Sequence, residues 1–292
     1  WFSEMLPLSF DLAMDIGKFR RLMSEKFCAN KPKQEILDFI HDYLYLDENA
    51  AQSIYTYFRE QFLYIGLPYD HRLIIEHYKE EKTTTTIFHT LYGRRVNDCF
   101  SRAVAFAVGR TQHKDVEIGV TDNGFFVRTD KKVNILAALK LLKSQELRKV
   151  MDLALDTSEI LKRRFRHCAT RALMILRNYK GRQKRVGRQQ VSSMILMNAV
   201  RRIDPNFTIL REAKREVMED LMDIEHAVQI IEMIEDKKIK IEEIRTTIPS
   251  PFAFSIVLEA HTDILKIDDK IEFLKRMHQM VLAKIGKKGE IP

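Results

Sequence analysis

Convincing strand patterns occur in only one part of this 292-residue chain, residues 69–130. Within it, residues 73–78 and 83–91 are rich in β-branched and aromatic side chains, and apolar residues alternate over 116–120. The Asp-Asn-Gly sequence at 122–124 predicts a hairpin turn into a partner strand. In most of the remaining sequence, apolar residues recur at the spacing of a helix. The chain is therefore predicted to adopt an α+β fold that is predominantly helical.

These patterns divide the chain into three predicted regions. Residues 1–68 form an N-terminal helical segment, and residues 69–130 form a small antiparallel β-β-α-β-β unit. Residues 131–292 form a helical module, in which we predict a basic helix at 160–188. Alternation of isoleucine and lysine near 239–241 indicates one further short strand.

Positive charge is concentrated in the predicted basic helix. Eleven basic residues and no acidic residue lie between Lys162 and Arg188, and the acid-free stretch extends to Ile203. The rest of the chain has 38 basic residues against 41 acidic ones, so the whole net charge of +8 belongs to this segment. Such a concentration of one sign of charge favours binding to a polyanion.

Helical spacing separates the apolar residues of this segment from its arginines. One face carries Leu161, Phe165, Cys168, Ala169, Ala172 and Leu176, which we expect to face the core. Like charges four residues apart repel each other, so arginines without interleaved glutamates need a counter-ion such as phosphate. The following loop adds more cations and a tyrosine that can stack on an unpaired base. We predict that nucleic acid is bound by Arg163, Arg166, Arg171, Arg177, Tyr179, Lys180, Arg182, Lys184, Arg185 and Arg188.

An alternative is that acidic residues of the chain itself, within 212–243, neutralise this charge. The basic face would then belong to a helical protein–protein interaction scaffold, or to an intramolecular contact. Salt-dependent binding to single-stranded DNA or RNA distinguishes a nucleic-acid-binding face from these alternatives.

Sequence motifs of known catalytic chemistry are absent. The chain contains no P-loop, no G-x-G-x-x-G, no H-E-x-x-H and no G-x-S-x-G sequence. We therefore predict no catalytic residues, no metal ligands and no cofactor within this chain, and we rank an independent nuclease or glycosylase last. No run of 18 apolar residues occurs, so no membrane partner is expected. Three widely spaced cysteines favour a reducing, cytoplasmic location.

Six stretches, taken in order, resemble one protein family. They are residues 1–7 (Trp-Phe-Ser-Glu-Met-Leu-Pro), 93–97 (Gly-Arg-Arg-Val-Asn), 122–125 (Asp-Asn-Gly-Phe), the arginine-rich 163–182, 211–217 (Arg-Glu-Ala-Lys-Arg-Glu-Val) and 249–253 (Pro-Ser-Pro-Phe-Ala). Together they resemble the C-terminal DEAD/H-associated region of archaeal-type large helicase-related (Lhr) proteins, which are superfamily-two helicases. The chain departs from the family pattern at Ser3, where glycine is common.

The resemblance implies a non-catalytic accessory domain of a longer protein, which the absence of an initiating Met at Trp1 also leads us to expect. The parent would hydrolyse ATP, with Mg²⁺, and move 3′-to-5′ on single-stranded DNA or RNA. Its RecA-like and winged-helix domains would precede Trp1 and contact this domain. The resemblance also implies that Trp1 stacks on a nucleobase.

Overall fold

Helices make up most of the fold, together with one five-stranded sheet and a two-stranded hairpin. The computed structural model describes residues 6–79, 83–113, 115–130, 132–176, 178–179, 181–183, 186–260 and 267–289. The predicted α+β, predominantly helical class is confirmed.

Three helices precede the first strand: α1 (Phe10–Cys28), α2 (Lys33–Leu44) and α3 (Glu48–Ile65). The side chain of Ser9 accepts a hydrogen bond from a backbone N–H of α1, and Asp47 does the same for α3. The inner faces of these helices bury an aromatic-rich cluster that also includes Phe252. This segment is therefore packed against the C-terminal part of the chain.

The central sheet contains the predicted β-β-α-β-β order. Its elements are β1 (Arg72–Lys79), β2 (Thr84–Phe88), α4 (Arg94–Gln112), β3 (Glu117–Thr121) and β4 (Gly124–Thr129). The pairs β1–β2, β2–β4 and β3–β4 are antiparallel.

A strand from the third region changes the predicted sheet. Lys240–Thr246 forms strand β7, which lies parallel to β1 with Leu73 opposite Ile241. Strands β5 (Asn178–Tyr179) and β6 (Arg182–Gln183) belong to a separate short hairpin. The strand order is therefore β3-β4-β2-β1-β7. The prediction of a purely antiparallel sheet is wrong, because the free edge of β1 pairs with a segment about 170 residues away in sequence. The short strand predicted near 239–241 is confirmed as β7.

The third region supplies most of the remaining helices. They are α5 (Ile135–Leu141), α6 (Leu147–Leu155), α7 (Glu159–Arg171), α8 (Val186–Ile203), α9 (Thr208–Arg215), a π-helix (Glu216–Leu221), α10 (Ile224–Glu235), α11 (Phe254–Ala260) and α12 (Ile267–Gly289). Between α7 and α8, β5 (Asn178–Tyr179) and β6 (Arg182–Gln183) form the two-stranded hairpin. None of the described helices has the length and apolar character needed to cross a bilayer.

Two of the sequence stretches singled out above, 93–97 and 122–125, fix the start of α4. The carboxylate of Asp122 accepts hydrogen bonds from the backbone N–H groups of Leu8 (3.1 Å) and Arg94 (2.9 Å). Buried Asn97 donates to the backbone carbonyls of Thr90, Thr121 and Asp122, before α4 and at the β3–β4 turn, at 2.8–3.1 Å. Gly93 has φ +82°, and a Cβ there would collide with the Leu8 carbonyl oxygen. These residues hold the N-terminal segment and the β3–β4 turn against α4.

Candidate nucleic-acid interface

Helix α7 positions the arginines that we predicted to bind nucleic acid. It begins after Ser158, whose hydroxyl accepts a hydrogen bond from the Leu161 N–H at 3.3 Å. The residues of α7 that pack into the core are Leu161, Phe165, Cys168 and Ala169. Arg163 lies exposed on the outer face, and Arg166 is half-buried at its edge. The predicted separation of an apolar face from an arginine face is confirmed for this helix.

The helix stops earlier than predicted. Leu173 adopts the left-handed conformation, with φ +57°. Its N–H donates to the Thr170 carbonyl at 3.1 Å, and the Met174 N–H donates to the Ala169 carbonyl at 2.9 Å. These two bonds form a Schellman motif, which satisfies the last carbonyls and turns the chain away from the helix axis after Arg171.

The predicted basic helix at 160–188 is therefore wrong in its second half. After α7 the chain turns, forms the β5–β6 hairpin and enters α8 at Val186. Ala172 and Leu176, which we expected to face the core, are exposed because they lie beyond the helix end.

A groove of about 880 Å³ lies between α7, the first turns of α4 and the end of the π-helix. Its walls combine cationic, hydroxyl and apolar side chains. It is lined by Asp98, Ile160, Arg163, Arg164, His167, Thr170, Arg171, Leu173 and Leu221. Two of the predicted binding residues, Arg163 and Arg171, thus line one groove.

Glu216 neutralises part of this positive charge. Its side chain is 4% exposed and accepts hydrogen bonds from Arg164, at 3.2 Å, and from Arg171. The bond to Glu216 raises the pKa of the Arg171 guanidinium above its usual value. The expectation that these arginines need an external counter-ion such as phosphate is wrong for Arg164 and Arg171, because Glu216 supplies one. The intramolecular alternative, which placed acidic partners within 212–243, is correct for these two residues.

The groove nevertheless keeps a positive excess. Among the residues that the structure describes, no carboxylate lies within salt-bridge distance of Arg163 or Arg166. Asp98, which also lines the groove, is paired with Arg102 at 2.9 Å. The three lining arginines carry three positive charges, and Glu216, which is bonded to two of them, carries one negative charge, so a net charge of +2 remains.

The structure gives the backbone positions of three further predicted binding residues. Tyr179 and Arg182 are paired across the β5–β6 hairpin, and Arg188 lies in the first turn of α8. Five predicted residues fall outside the described part of the chain: Trp1, Arg177, Lys180, Lys184 and Arg185. Their roles stay predictions.

A family comparison identifies the chain. The DEAD/H associated family model matches residues 67–253, which is more than half of the sequence and includes α4, α7 and the π-helix. The chain belongs to the DEAD/H associated family. Together with the relatives described next, this match confirms the resemblance to the DEAD/H-associated region of archaeal-type Lhr proteins.

Curated relatives of this DEAD/H associated chain are substantially longer. It is 51% identical over 286 residues to the ATP-dependent helicase Lhr-Core of Methanothermobacter thermautotrophicus, which covers 98% of this chain and 33% of that protein. It is 41% identical over 297 residues to the ATP-dependent helicase Lhr-Core of Saccharolobus solfataricus, covering 99% of this chain and 34% of that protein. The chain thus spans about a third of the length of the curated relatives it matches.

A solved structure shares the fold. Helicase Lhr of Mycobacterium smegmatis, bound to ssDNA and AMP-PNP, superposes with a TM-score of 0.75 over 88% of this chain and 32% of that one. The two sequences are 24% identical, so the comparison shows a common fold.

Several groove residues of this DEAD/H associated chain were not among the predicted binding residues. Arg164 follows Arg163 and lies seven residues before Arg171, a spacing that puts Arg164 and Arg171 on the same face of α7. This seven-residue spacing could therefore have identified Arg164 as part of the same surface as Arg171. The sequence gives no comparable signal for Leu173 or Leu221, because the helix ends that expose them are set by tertiary packing.

Proposed function

We propose that this DEAD/H associated chain is the nucleic-acid-binding accessory domain of an ATP-dependent 3′-to-5′ helicase of the Lhr type. Single-stranded DNA or RNA would lie in the groove along α7. The observation that carries this proposal is the net charge of +2 that the three lining arginines keep over Glu216 in a groove of about 880 Å³.

The chemistry of the groove suits a phosphate backbone. Guanidinium groups form charge-assisted, bidentate hydrogen bonds with phosphate oxygens, and they stay protonated at any physiological pH. Arg163 and Arg171 approach one groove from the same helix, so successive phosphates of one strand can be neutralised along it. Each neutralised phosphate releases a condensed cation, which favours binding at low salt.

The relatives supply the context of a helicase. The printed names of the curated relatives describe ATP-dependent helicases, and the Mycobacterium smegmatis protein is described as bound to ssDNA and AMP-PNP. We propose that RecA-like domains of a longer parent bind ATP and Mg²⁺, since this sequence contains no P-loop. The winged-helix contact, the 3′-to-5′ polarity, stacking of a base on Trp1 and a cytoplasmic location belong to the same proposal.

Charge reversal on α7 tests the binding surface. We expect Arg163→Glu together with Arg166→Glu to weaken binding to a single-stranded oligonucleotide at least tenfold at low salt. The slope of log affinity against log salt concentration should decrease in magnitude by about two, because two phosphate contacts are lost. Fluorescence anisotropy measures both quantities, and circular dichroism checks that helicity is unchanged.

A matched control tests whether the position of the changed charge matters or only the change in net charge. Arg59→Glu together with Arg110→Glu makes the same change in net charge at two exposed helical arginines away from α7. If the two double variants lose affinity equally, the groove is not the binding surface. If wild-type protein binds polyglutamate as strongly as the oligonucleotide, the interaction-scaffold alternative replaces this proposal.

A further inference from the structure

An exposed leucine stands at the end of the arginine groove. Leu173 follows α7, lines the groove, and has 74% of its surface exposed. Its φ of +57° is in the left-handed region, which helix ends usually fill with glycine because a Cβ is disfavoured there. The chain therefore keeps a large apolar side chain where neither burial nor backbone preference favours it.

A second exposed apolar side chain lines the same groove. Leu221, at the end of the π-helix, is 38% exposed, and Ile160 at the start of α7 is half-buried nearby. These side chains share the groove with Arg163 and Arg171. The groove thus presents an apolar surface and fixed positive charge to one ligand.

An unpaired nucleic-acid strand has the matching chemistry. Its phosphates carry regularly spaced negative charge, and its bases expose flat, weakly polar faces that pack on aromatic or aliphatic side chains. In a duplex those faces are buried in the base stack, so a duplex offers the phosphates without the apolar partner. The combination of charge and apolar surface therefore favours unpaired over paired strands.

We infer that Leu173 packs against an unpaired nucleobase and thereby selects single strands over duplex, an inference that rests on the proposed function. The arginines of α7 hold the phosphates, and Leu173 adds a contact that depends on the presence of a base. Arg163 and Arg166 thus contribute affinity for any strand, whereas Leu173 contributes the preference for strands with accessible bases.

An abasic strand separates the two contributions. Wild-type protein is titrated with an oligothymidylate and with an abasic oligomer of the same length, which has the same sugar–phosphate backbone but no bases. We expect the oligothymidylate to bind more tightly, and Leu173 to account for about three- to tenfold of this preference, the range expected when a leucine side chain is partly buried against a base. In Leu173→Gly the preference should fall by that factor, while affinity for the abasic oligomer stays unchanged, and any preference that comes from stacking on Trp1 should remain.

Leu173→Gly is a conservative change for the fold. Glycine is favoured at the left-handed position after a helix, so the Schellman motif is kept while the side chain is removed. Leu173→Asn is the second variant, because asparagine also tolerates this conformation but offers no apolar surface. Tyr45→Gly is the control: Tyr45 follows α2 with φ +53°, is 92% exposed, and does not line the groove.

The outcomes distinguish this inference from the proposed function. If Leu173→Gly and Leu173→Asn keep the wild-type preference for bases, or if wild-type protein has no such preference, Leu173 does not contact a base. The proposed function would still stand if Arg163→Glu with Arg166→Glu abolishes binding to both oligomers. If that double variant binds both oligomers normally, the proposed function fails and this inference fails with it.

Discussion

At the scale of single residues, Glu216 determines how much of the positive charge of the groove is neutralised. Its side chain is 4% exposed and touches two guanidinium groups that lie about two turns apart on α7. A carboxylate that leaves water for such a site is stable only when it is paired, and here Arg164 and Arg171 both donate to it. Glu216 therefore fixes two arginines and at the same time competes with any phosphate for their hydrogen bonds.

Replacement of this carboxylate should separate stability from binding. In Glu216→Gln we expect the free energy of unfolding to fall by about 1–2 kcal/mol, because charge-assisted hydrogen bonds are replaced by weaker ones. Affinity for a single-stranded oligonucleotide should rise about two- to fivefold, and the salt dependence should steepen by up to about one unit, as Arg171 becomes available to phosphate. Urea denaturation and fluorescence anisotropy measure the two effects.

Glu232→Gln on α10 makes the same change in charge at an exposed position. Glu232→Gln should change neither the free energy of unfolding nor the affinity for the oligonucleotide appreciably. Unchanged or weaker binding by Glu216→Gln would show that Arg171 is not restrained from phosphate by Glu216.

The sequence predicted the outward position of Arg163 but not the pairing of Arg171. Helical periodicity places Arg163 opposite Leu161 and Phe165 from a few residues of sequence. The contact between Arg171 and Glu216 joins residues 45 positions apart and depends on how α7 packs on the π-helix. Local patterns indicated an acidic region that was able to supply such a partner, but not which carboxylate is buried against the helix.

At the scale of secondary-structure elements, strand β7 ties the third region to the central sheet. Arg72 of β1 donates two hydrogen bonds to the Glu242 carboxylate of β7, at 2.6 and 3.1 Å. Both side chains are largely shielded from solvent, and Lys240 also lies 2.7 Å from Glu242. The pKa of Glu242 lies below its usual value of 4.5, mainly because Arg72 donates hydrogen bonds to the carboxylate.

This pair predicts a pH-dependent contribution to stability. A carboxyl group whose pKa is lowered in the folded state stabilises the fold above pH 4.5, and the contribution is lost as the pH falls through the lower folded-state pKa. We expect Glu242→Gln to be about 0.5–1 kcal/mol less stable than wild type at pH 7, with the difference vanishing in acid. Urea denaturation from pH 7 down to pH values well below 4.5 measures it.

Glu259→Gln on α11 is the control, since Glu259 is exposed and lies outside the sheet. A loss of stability in Glu259→Gln equal to that in Glu242→Gln would show that the effect does not depend on the β1–β7 pair. A constant deficit for Glu242→Gln across the titration would mean that the charge of Glu242 does not stabilise the β1–β7 pairing.

Local signals explain which elements the sequence predicted. The β3–β4 hairpin is closed by neighbouring residues, with Thr121 opposite Gly124, so its turn sequence was enough to predict it. The parallel β1–β7 pairing has no turn of its own and was missed. The end of α7 was missed because Leu173 occupies the left-handed position, and the first glycine after it is Gly181.

At the scale of the whole molecule, one packed core supports all walls of the groove. Buried side chains of α4, α7 and the π-helix belong to the same cluster, among them Cys99, Phe165 and Val217. Because such interiors are densely packed, we expect the groove to keep its shape when a ligand binds. Part of the net charge of +8 then lies on a rigid surface, so the protein loses less conformational entropy when it binds a ligand there.

Photo-crosslinking tests the central claim most directly. A single-stranded oligonucleotide containing 4-thiothymidine is crosslinked to the 292-residue chain, and the modified peptides are identified by mass spectrometry. We expect crosslinks in α7 and the turn around Leu173, and their loss at high salt. Crosslinks confined to other parts of the chain, with the peptide from Glu159 to Leu176 unmodified, would contradict the assignment of this groove to nucleic acid.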